Sequence, residues 1–305
     1  MDAGPRHRPL LALLIRLGAI GALATMGALI KLAADRDIHL LEIMFWRQFV
    51  TIPIALGWVL ATTGIAALAT RRPGTHFVRG VYGTIGMVLN FAAIIMLPLA
   101  EATTMNFTAP IWAVILSALL LKDKIGIWRW SAVLLGFAGI LVIAQPGDGH
   151  IPLIGALTGI GGAFMIALIS IQIADLNRTE QPLTIVFYFA LFTTPLTALA
   201  LPFVMTSHDA FGWLLLLGIG LSGALGQLLL TASLRFGKVA SVIVMDYSGL
   251  FWATLYGWLL FAVLPPTSTW LGAPPIIAAG LVITWREHRQ ARMTQASAER
   301  DLSAV

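Results

Sequence analysis

The chain has 305 residues, 58% of them hydrophobic and only 11% charged, and its mean hydropathy is +0.88. Soluble domains carry roughly 25% charged residues, so a water-soluble enzyme or binding module is excluded and lipid is the natural solvent. The net charge of +5 does not point to nucleic acid, because most cations flank apolar runs; the absence of cysteine excludes disulfides, thiol catalysis and cysteine-ligated metals.

In lipid every backbone polar group must be satisfied internally, which leaves helices or a closed barrel. The apolar runs here are long and continuous rather than alternating, and this selects helices. Runs near the roughly 20 residues of a membrane-crossing helix lie at about 10–33, 41–63, 78–97, 102–121, 128–145, 152–174, 183–204, 211–234, 239–262 and 270–285. The first is too long for a signal-peptide core and has no obvious cleavage site, so it is read as a retained helix. Charged or turn-forming stretches separate the spans, among them Ala34-Asp35-Arg36-Asp37, Arg71-Arg72-Pro73-Gly74 and Leu264-Pro265-Pro266.

Ten spans put both termini on one side. Taking that side as cytoplasmic places 15 of the 19 Lys and Arg residues there, and the opposite loops after the third, fifth, seventh and ninth spans carry none. Cytoplasmic segments are enriched in cations, so the expectation is an integral protein of a bacterial inner (plasma) membrane with cytoplasmic N- and C-termini.

The two halves repeat. Met105-Asn106-Phe107-Thr108-Ala109-Pro110-Ile111-Trp112-Ala113 matches Met245-Asp246-Tyr247-Ser248-Gly249-Leu250-Phe251-Trp252-Ala253 at a shift of 140. Ile43-Met44-Phe45-Trp46 through Pro53 matches Ile185-Val186-Phe187-Tyr188 through Pro195 at 142, and Gly80, Gly83 and Gly86 match Gly220, Gly223 and Gly226. Five spans per repeat is an odd number, so the second copy enters the membrane from the opposite face. The expected architecture is all-α and polytopic: ten transmembrane helices as two inverted five-helix repeats, residues 1–147 and 148–290, with a cytoplasmic tail at 291–305. Inverted repeats are a recurring plan of transporters, with the site near mid-membrane between the halves.

Leu97-Pro98-Leu99-Ala100-Glu101-Ala102, Phe107-Thr108-Ala109-Pro110, the stretch from Trp130 through Gly136-Phe137-Ala138-Gly139 to Gln145-Pro146-Gly147, and the echo at Gly280-Leu281-Val282-Ile283 resemble the drug/metabolite transporter superfamily in its ten-helix EamA-type branch. Phe45-Trp46-Arg47 is similar to that family's arginine-bearing second helix. The resemblance implies carriage of solutes such as amino acids, S-adenosylmethionine or riboflavin. The chain departs from the family at Lys122-Asp123-Lys124, where a glutamate commonly ends the fourth span.

Ionisable groups inside spans are costly and mark functional candidates. Asp246 sits about 10 Å into the ninth span, where it suits a cationic substrate group or a coupling proton, or else serves as a structural acid facing the bundle. Arg47 suits a substrate carboxylate or phosphate, or anchors the fold by pairing with Glu42. Lys31 and Arg16 read as snorkelling residues at span ends. Tyr82, Asn90, Asn106, Gln227, Tyr247, Trp112 and Trp252 supply amides and aromatics suited to an amphipathic organic solute, with plain bundle packing as the competing reading. Pro53, Pro110 and Pro195 fall inside spans and should kink them, as hinges or static bends.

These features predict a secondary transporter moving a small organic metabolite, amino-acid-like or nucleoside- and cofactor-like, by alternating access. No cofactor, metal site or catalytic residue is expected; the partners are the solute, coupled protons and the bilayer, with the chain a monomer or homodimer. The rival readings are an integral-membrane enzyme acting on a lipid or amphiphile, and a non-transporting scaffold. The first lacks an acid–base or metal set at membrane depth. The second would be expected to carry a sizeable soluble domain.

Overall fold

The computed structural model describes residues 9–120, 127–144, 152–176, 179–236, 244–282 and 285, and among these every regular element is helical. The helices are α1 (Pro9–Ala34), α2 (Leu40–Thr62), α3 (Pro73–Met96), α4 (Leu99–Asn106), α5 (Ala109–Leu120), α6 (Ile127–Ala144), α7 (Leu153–Leu176), α8 (Pro182–Ala198), the single turn α9 (Leu201–Val204), α10 (Ala210–Phe236), α11 (Gly249–Phe261) and α12 over 267–282. Short 3-10 turns cover Ile65–Leu68 and Val244–Ser248. Among the described residues five helices, α1, α2, α3, α7 and α10, contain stretches long and apolar enough to cross a membrane, and shorter apolar stretches lie in α6 and α8.

The outer surface is apolar: Leu14, Trp58, Leu134, Leu157, Leu214 and Phe251 are exposed, whereas Arg16, Glu42, Arg47, Gln48, Arg79 and Glu101 are buried. This inversion of a soluble protein's surface is what a lipid-facing bundle requires.

The fourth span, expected to be continuous over 102–121, is broken. α4 stops at Asn106, and α5 begins at Ala109 with Pro110 as its second residue. A proline ring clashes with the carbonyl four residues earlier, here that of Asn106, and has no N–H to donate. The chain therefore starts a new helix at the proline, where the missing N–H is harmless. At the matching place in the expected ninth span, Val244–Ser248 is a 3-10 turn and the α-helix α11 starts only at Gly249; the residues just before Val244 lie outside the described ones. Pro53 and Pro195 lie within α2 and α8, and α8 ends three residues past its proline, so the expected span 183–204 is divided into α8 and α9.

α1 packs most extensively on α10, and α3 on α7; α2 lies against α8 and α10, α3 against α8, and α4 against α11. Glycines set the closest approaches. A Cβ on Gly220 of α10 would lie 2.5 Å from Val50 of α2, and one on Gly80 of α3 would lie 3.0 Å from Phe192 of α8. One turn on, a Cβ on Gly223 would meet Met26 and Arg47, and one on Gly83 would collide with Arg79 and Phe189. Small residues that let helix backbones approach are the usual currency of packing in lipid, where hydrophobicity gives helices little reason to associate.

Candidate solute site at two broken helices

The two breaks face each other. Phe107, directly after α4, meets Tyr247 of the 3-10 turn edge to face, ring centroids 5.0 Å apart. The Tyr247 hydroxyl is buried without a hydrogen-bond partner among the described residues and lies against Gly280 of α12, where a side chain would collide with it. On one side of this contact the Asn90 amide of α3 donates to Asn106 Oδ1 at 2.8 Å. On the other, Asp246 takes a bidentate ion pair from Arg16 of α1, Nε to Oδ1 and Nη2 to Oδ2 both at 2.6 Å.

Tryptophans flank the breaks. Trp112 of α5 packs between Phe137 and Phe164, at 5.6 and 5.5 Å. Trp252 of α11 stacks beside Tyr256 at 6.3 Å and leaves Gly21 of α1 only a van der Waals gap. Both indole N–H groups are buried without a partner among the described residues, and the Tyr256 hydroxyl is shared with Thr25 at 2.7 Å. Unpartnered donors on aromatic walls suit an amphipathic solute held by stacking and a few hydrogen bonds.

The structure brings Asn90, Asn106, Tyr247 and Asp246 into one region, with Trp112 and Trp252 at its edges. Tyr82 and Gln227 are half-buried on α3 and α10. Pro110 belongs to the break itself.

Several ionic expectations are corrected. Arg16 does not snorkel but closes on Asp246, so that acid is not an isolated one. Lys31 turns inward and donates to the carbonyls of Ile94, Ile95 and Leu97 at 3.2, 3.2 and 2.8 Å, capping the end of α3, because those terminal carbonyls have no helical N–H to bond. Glu42 pairs with His208, Oε1 to Nε2 at 2.6 Å, and not with Arg47. Arg47 bonds Gln48 Oε1 at 2.5 Å and the sulfurs of Met26 and Met87. Arg79, counted from sequence among the cations of the cytoplasmic edge, is buried with its guanidinium 4.3 Å from the Phe189 ring centroid. Sequence reasoning missed Arg79 as a candidate; its place inside α3, one turn before Gly83, was the available signal.

An opening of about 270 Å³ lies elsewhere, between the end of α3, the start of α4 and the end of α11, with Lys31, Glu101, Thr254 and Phe261 in its wall. Glu101 accepts from Thr269 at 3.0 Å through one oxygen, and the other is buried without a partner among the described residues.

The chain matches the EamA-like transporter family over residues 10–145 and again over 153–285. It belongs to that family. It is a membrane transporter and not an enzyme. It is 31% identical over 291 residues to a riboflavin transporter of Vibrio cholerae, covering 94% of this chain and 97% of that one. It is 30% identical over 265 residues to the pseudopaline exporter CntI of Pseudomonas aeruginosa, covering 86% and 91%, and 27% identical over 260 residues to an S-adenosylmethionine uptake transporter of Rickettsia bellii, covering 83% and 86%. A protein of known crystal structure shares the fold at a TM-score of 0.63 and 20% identity, over 93% of this chain and 99% of that one. The relatives include both an uptake protein and an exporter, so this architecture does not fix the direction of flux.

Proposed function

We propose that this EamA-family transporter carries a small organic metabolite, amino-acid-like or nucleoside- and cofactor-like, by alternating access between two inverted five-helix repeats, residues 1–147 and 148–290, in a bacterial inner membrane with both termini cytoplasmic. The observation that carries the reading is the Phe107–Tyr247 contact: two repeat-related residues, each at the break in its own span, meet ring to ring. Broken helices expose unpaired backbone groups and are tolerated at membrane depth only where protein or a cavity receives them, and carriers use such breaks to bind their cargo.

The helix pairings support the inversion. The first span lies on the eighth as the third lies on the sixth, while the second meets the seventh and the fourth the ninth. Each of these relations maps onto another, or onto itself, when the halves are exchanged. Single-cysteine labelling tests it directly, because the chain has no cysteine of its own. Asp35→Cys and Ser207→Cys should react with impermeant reagent added outside, and Arg71→Cys and Thr179→Cys only after the membrane is opened. Outside labelling at residue 71 or 179 contradicts the inversion.

Asp246 is the coupling group in this reading. A proton or a cationic substrate group competes with Arg16 for its carboxylate, and release of Arg16 frees α1 from the break. The assay is uptake into proteoliposomes of labelled riboflavin, S-adenosylmethionine and amino acids under imposed pH gradients. Asp246→Asn should abolish pH-driven flux in folded protein, and undiminished flux in that variant removes Asp246 from the mechanism.

A further inference from the structure

Among the helical cations whose side chains the structure describes, two classes stand apart. Arg16 has a carboxylate and Lys31 has three carbonyls, and outside the spans Arg36 and Arg72 pair with Asp209 and Asp175. Arg47 and Arg79 have no carboxylate within ion-pair distance among the described residues, although both are buried, and Arg47 reaches Met87 of α3, two turns past Arg79 on the same helix. An ion pair or another cover of acceptors is the normal condition for a charge at membrane depth.

The hydrogen-bond accounting around them is one-sided. The acceptor oxygen of Gln48 is taken by Arg47 Nη1. The other contacts of Arg47 are the sulfurs of Met26 and Met87, which are weak acceptors, and the Phe91 ring at 5.9 Å. Arg79 Nε and Nη1, together with Gln48 Nε2, are buried donors with no acceptor among the described residues. Each such orphan costs free energy that an apolar side chain would not. A surplus of donors beside two positive charges is the complement of an acceptor-only, negatively charged group.

We propose that Arg47, Arg79 and Gln48 form the oxyanion subsite of the carrier, binding a carboxylate or phosphate borne by the transported solute. The inference rests on the transport reading above and adds a substrate class to it. Space for the guanidinium groups is provided by repeat-related glycines, Gly83 beside Arg79 and Gly223 beside Arg47. On α3, Arg79, Gly83, Met87 and Asn90 follow at spacings of four, four and three and so share one face. That stripe runs about 16 Å, at 1.5 Å per residue, from the charged end to the Asn90–Asn106 amides and the Phe107–Tyr247 aromatics. A solute with an anionic head and an amphipathic aromatic body matches the order of groups along it. In the described conformation Phe189 of α8 covers Arg79. α2 and α8 each carry a proline six residues past Arg47 and Phe189, which lets both helices bend away from α3 and α10 and admit the anion.

The test is a binding measurement that needs no flux. Full-length protein in zwitterionic phosphatidylcholine nanodiscs is melted at constant ionic strength with benzoate, phenyl phosphate, neutral benzamide or cationic benzylamine. Saturating benzoate or phenyl phosphate should raise Tm by about 2–4 °C, and benzamide and benzylamine should not. The rise should vanish in Arg79→Gln and persist in Arg36→Gln. Should Arg79→Gln not fold, Gln48→Leu, which removes one of the orphan donors, should weaken anion binding several-fold. Equal shifts with benzoate and benzamide, or a full shift in Arg79→Gln, overturn the proposal. Stabilisation only on replacing the lipid with phosphatidylglycerol also overturns it, by assigning the donors to a headgroup. If liposome flux fails while benzoate binding holds, the carrier reading falls and the oxyanion subsite stands.

Discussion

Arg16 and Asp246 are 230 positions apart, yet the guanidinium of one closes on the carboxylate of the other through two parallel bonds of 2.6 Å. The pair ties α1 to the 3-10 turn Val244–Ser248 ahead of α11, next to the Phe107–Tyr247 contact. Arg16 is almost wholly buried there, and the Asp246 side chain keeps a third of its surface.

Removing one partner of such a pair strands the other charge, whereas exchanging them preserves the geometry. Arg16→Asp and Asp246→Arg should each destabilise the protein, and the double variant should recover part of the loss, with a coupling of about 1–3 kcal/mol. Thermal unfolding of the four proteins of the cycle measures it, and additive losses would mean that the pair does not act as a unit.

Asn90 and Asn106 make a neutral version of the same argument. Asn106→Leu leaves the Asn90 amide without its acceptor, at a cost of about 1–3 kcal/mol. Asn90→Leu with Asn106→Leu removes both ends and should recover most of that stability, while flux should stay impaired. A double variant as unstable as the single one would count against the bond as the reason these amides face each other.

The glycine contacts predict a contrast. A Cβ at Gly83 collides with Arg79 and Phe189, and one at Gly220 falls 2.5 Å from Val50, whereas one at Gly57 meets nothing within 4 Å. Gly83→Ala and Gly220→Ala should each cost about 1–3 kcal/mol by overpacking. Gly57→Ala should be neutral or slightly stabilising through helix propensity. Melting temperatures of the three variants in one detergent decide the matter.

Asp209 supplies a pH signature outside the spans. Its carboxylate accepts from the Gly212 N–H at 2.8 Å, at the start of α10, and from Arg36 at 3.1 Å, and these bonds, the first most strongly, hold it below the ordinary carboxylate range. A depressed native value means that the ionised form stabilises the fold. The contribution is complete above the unfolded value of about 3.9 and is lost as pH falls through the lower native one. The Tm difference between the unaltered protein and Asp209→Asn should therefore be constant near neutrality and shrink in acid below that range. A gap that widens in acid has the wrong sign for this account.

The sequence by itself determined the membrane setting, the long apolar runs and the duplicated motifs, because length and apolarity act locally; it marked Pro110 as a bend, and the structure turned that bend into a full break between α4 and α5. It determined which polar residues enter the membrane but not how they pair. The assignment of Arg16 to Asp246, of Glu42 to His208 and of Lys31 to the end of α3 was decided only by the tertiary structure, as were the burial of Arg79 and the meeting of the two breaks. In water a buried face declares itself as an apolar stripe on a polar helix. Here the lipid-facing surface is as apolar as the packed one, so the pattern along the chain does not say which way a helix is turned. That rotation is set by close contacts such as Gly83 with Phe189 and Gly220 with Val50, between residues more than a hundred positions apart.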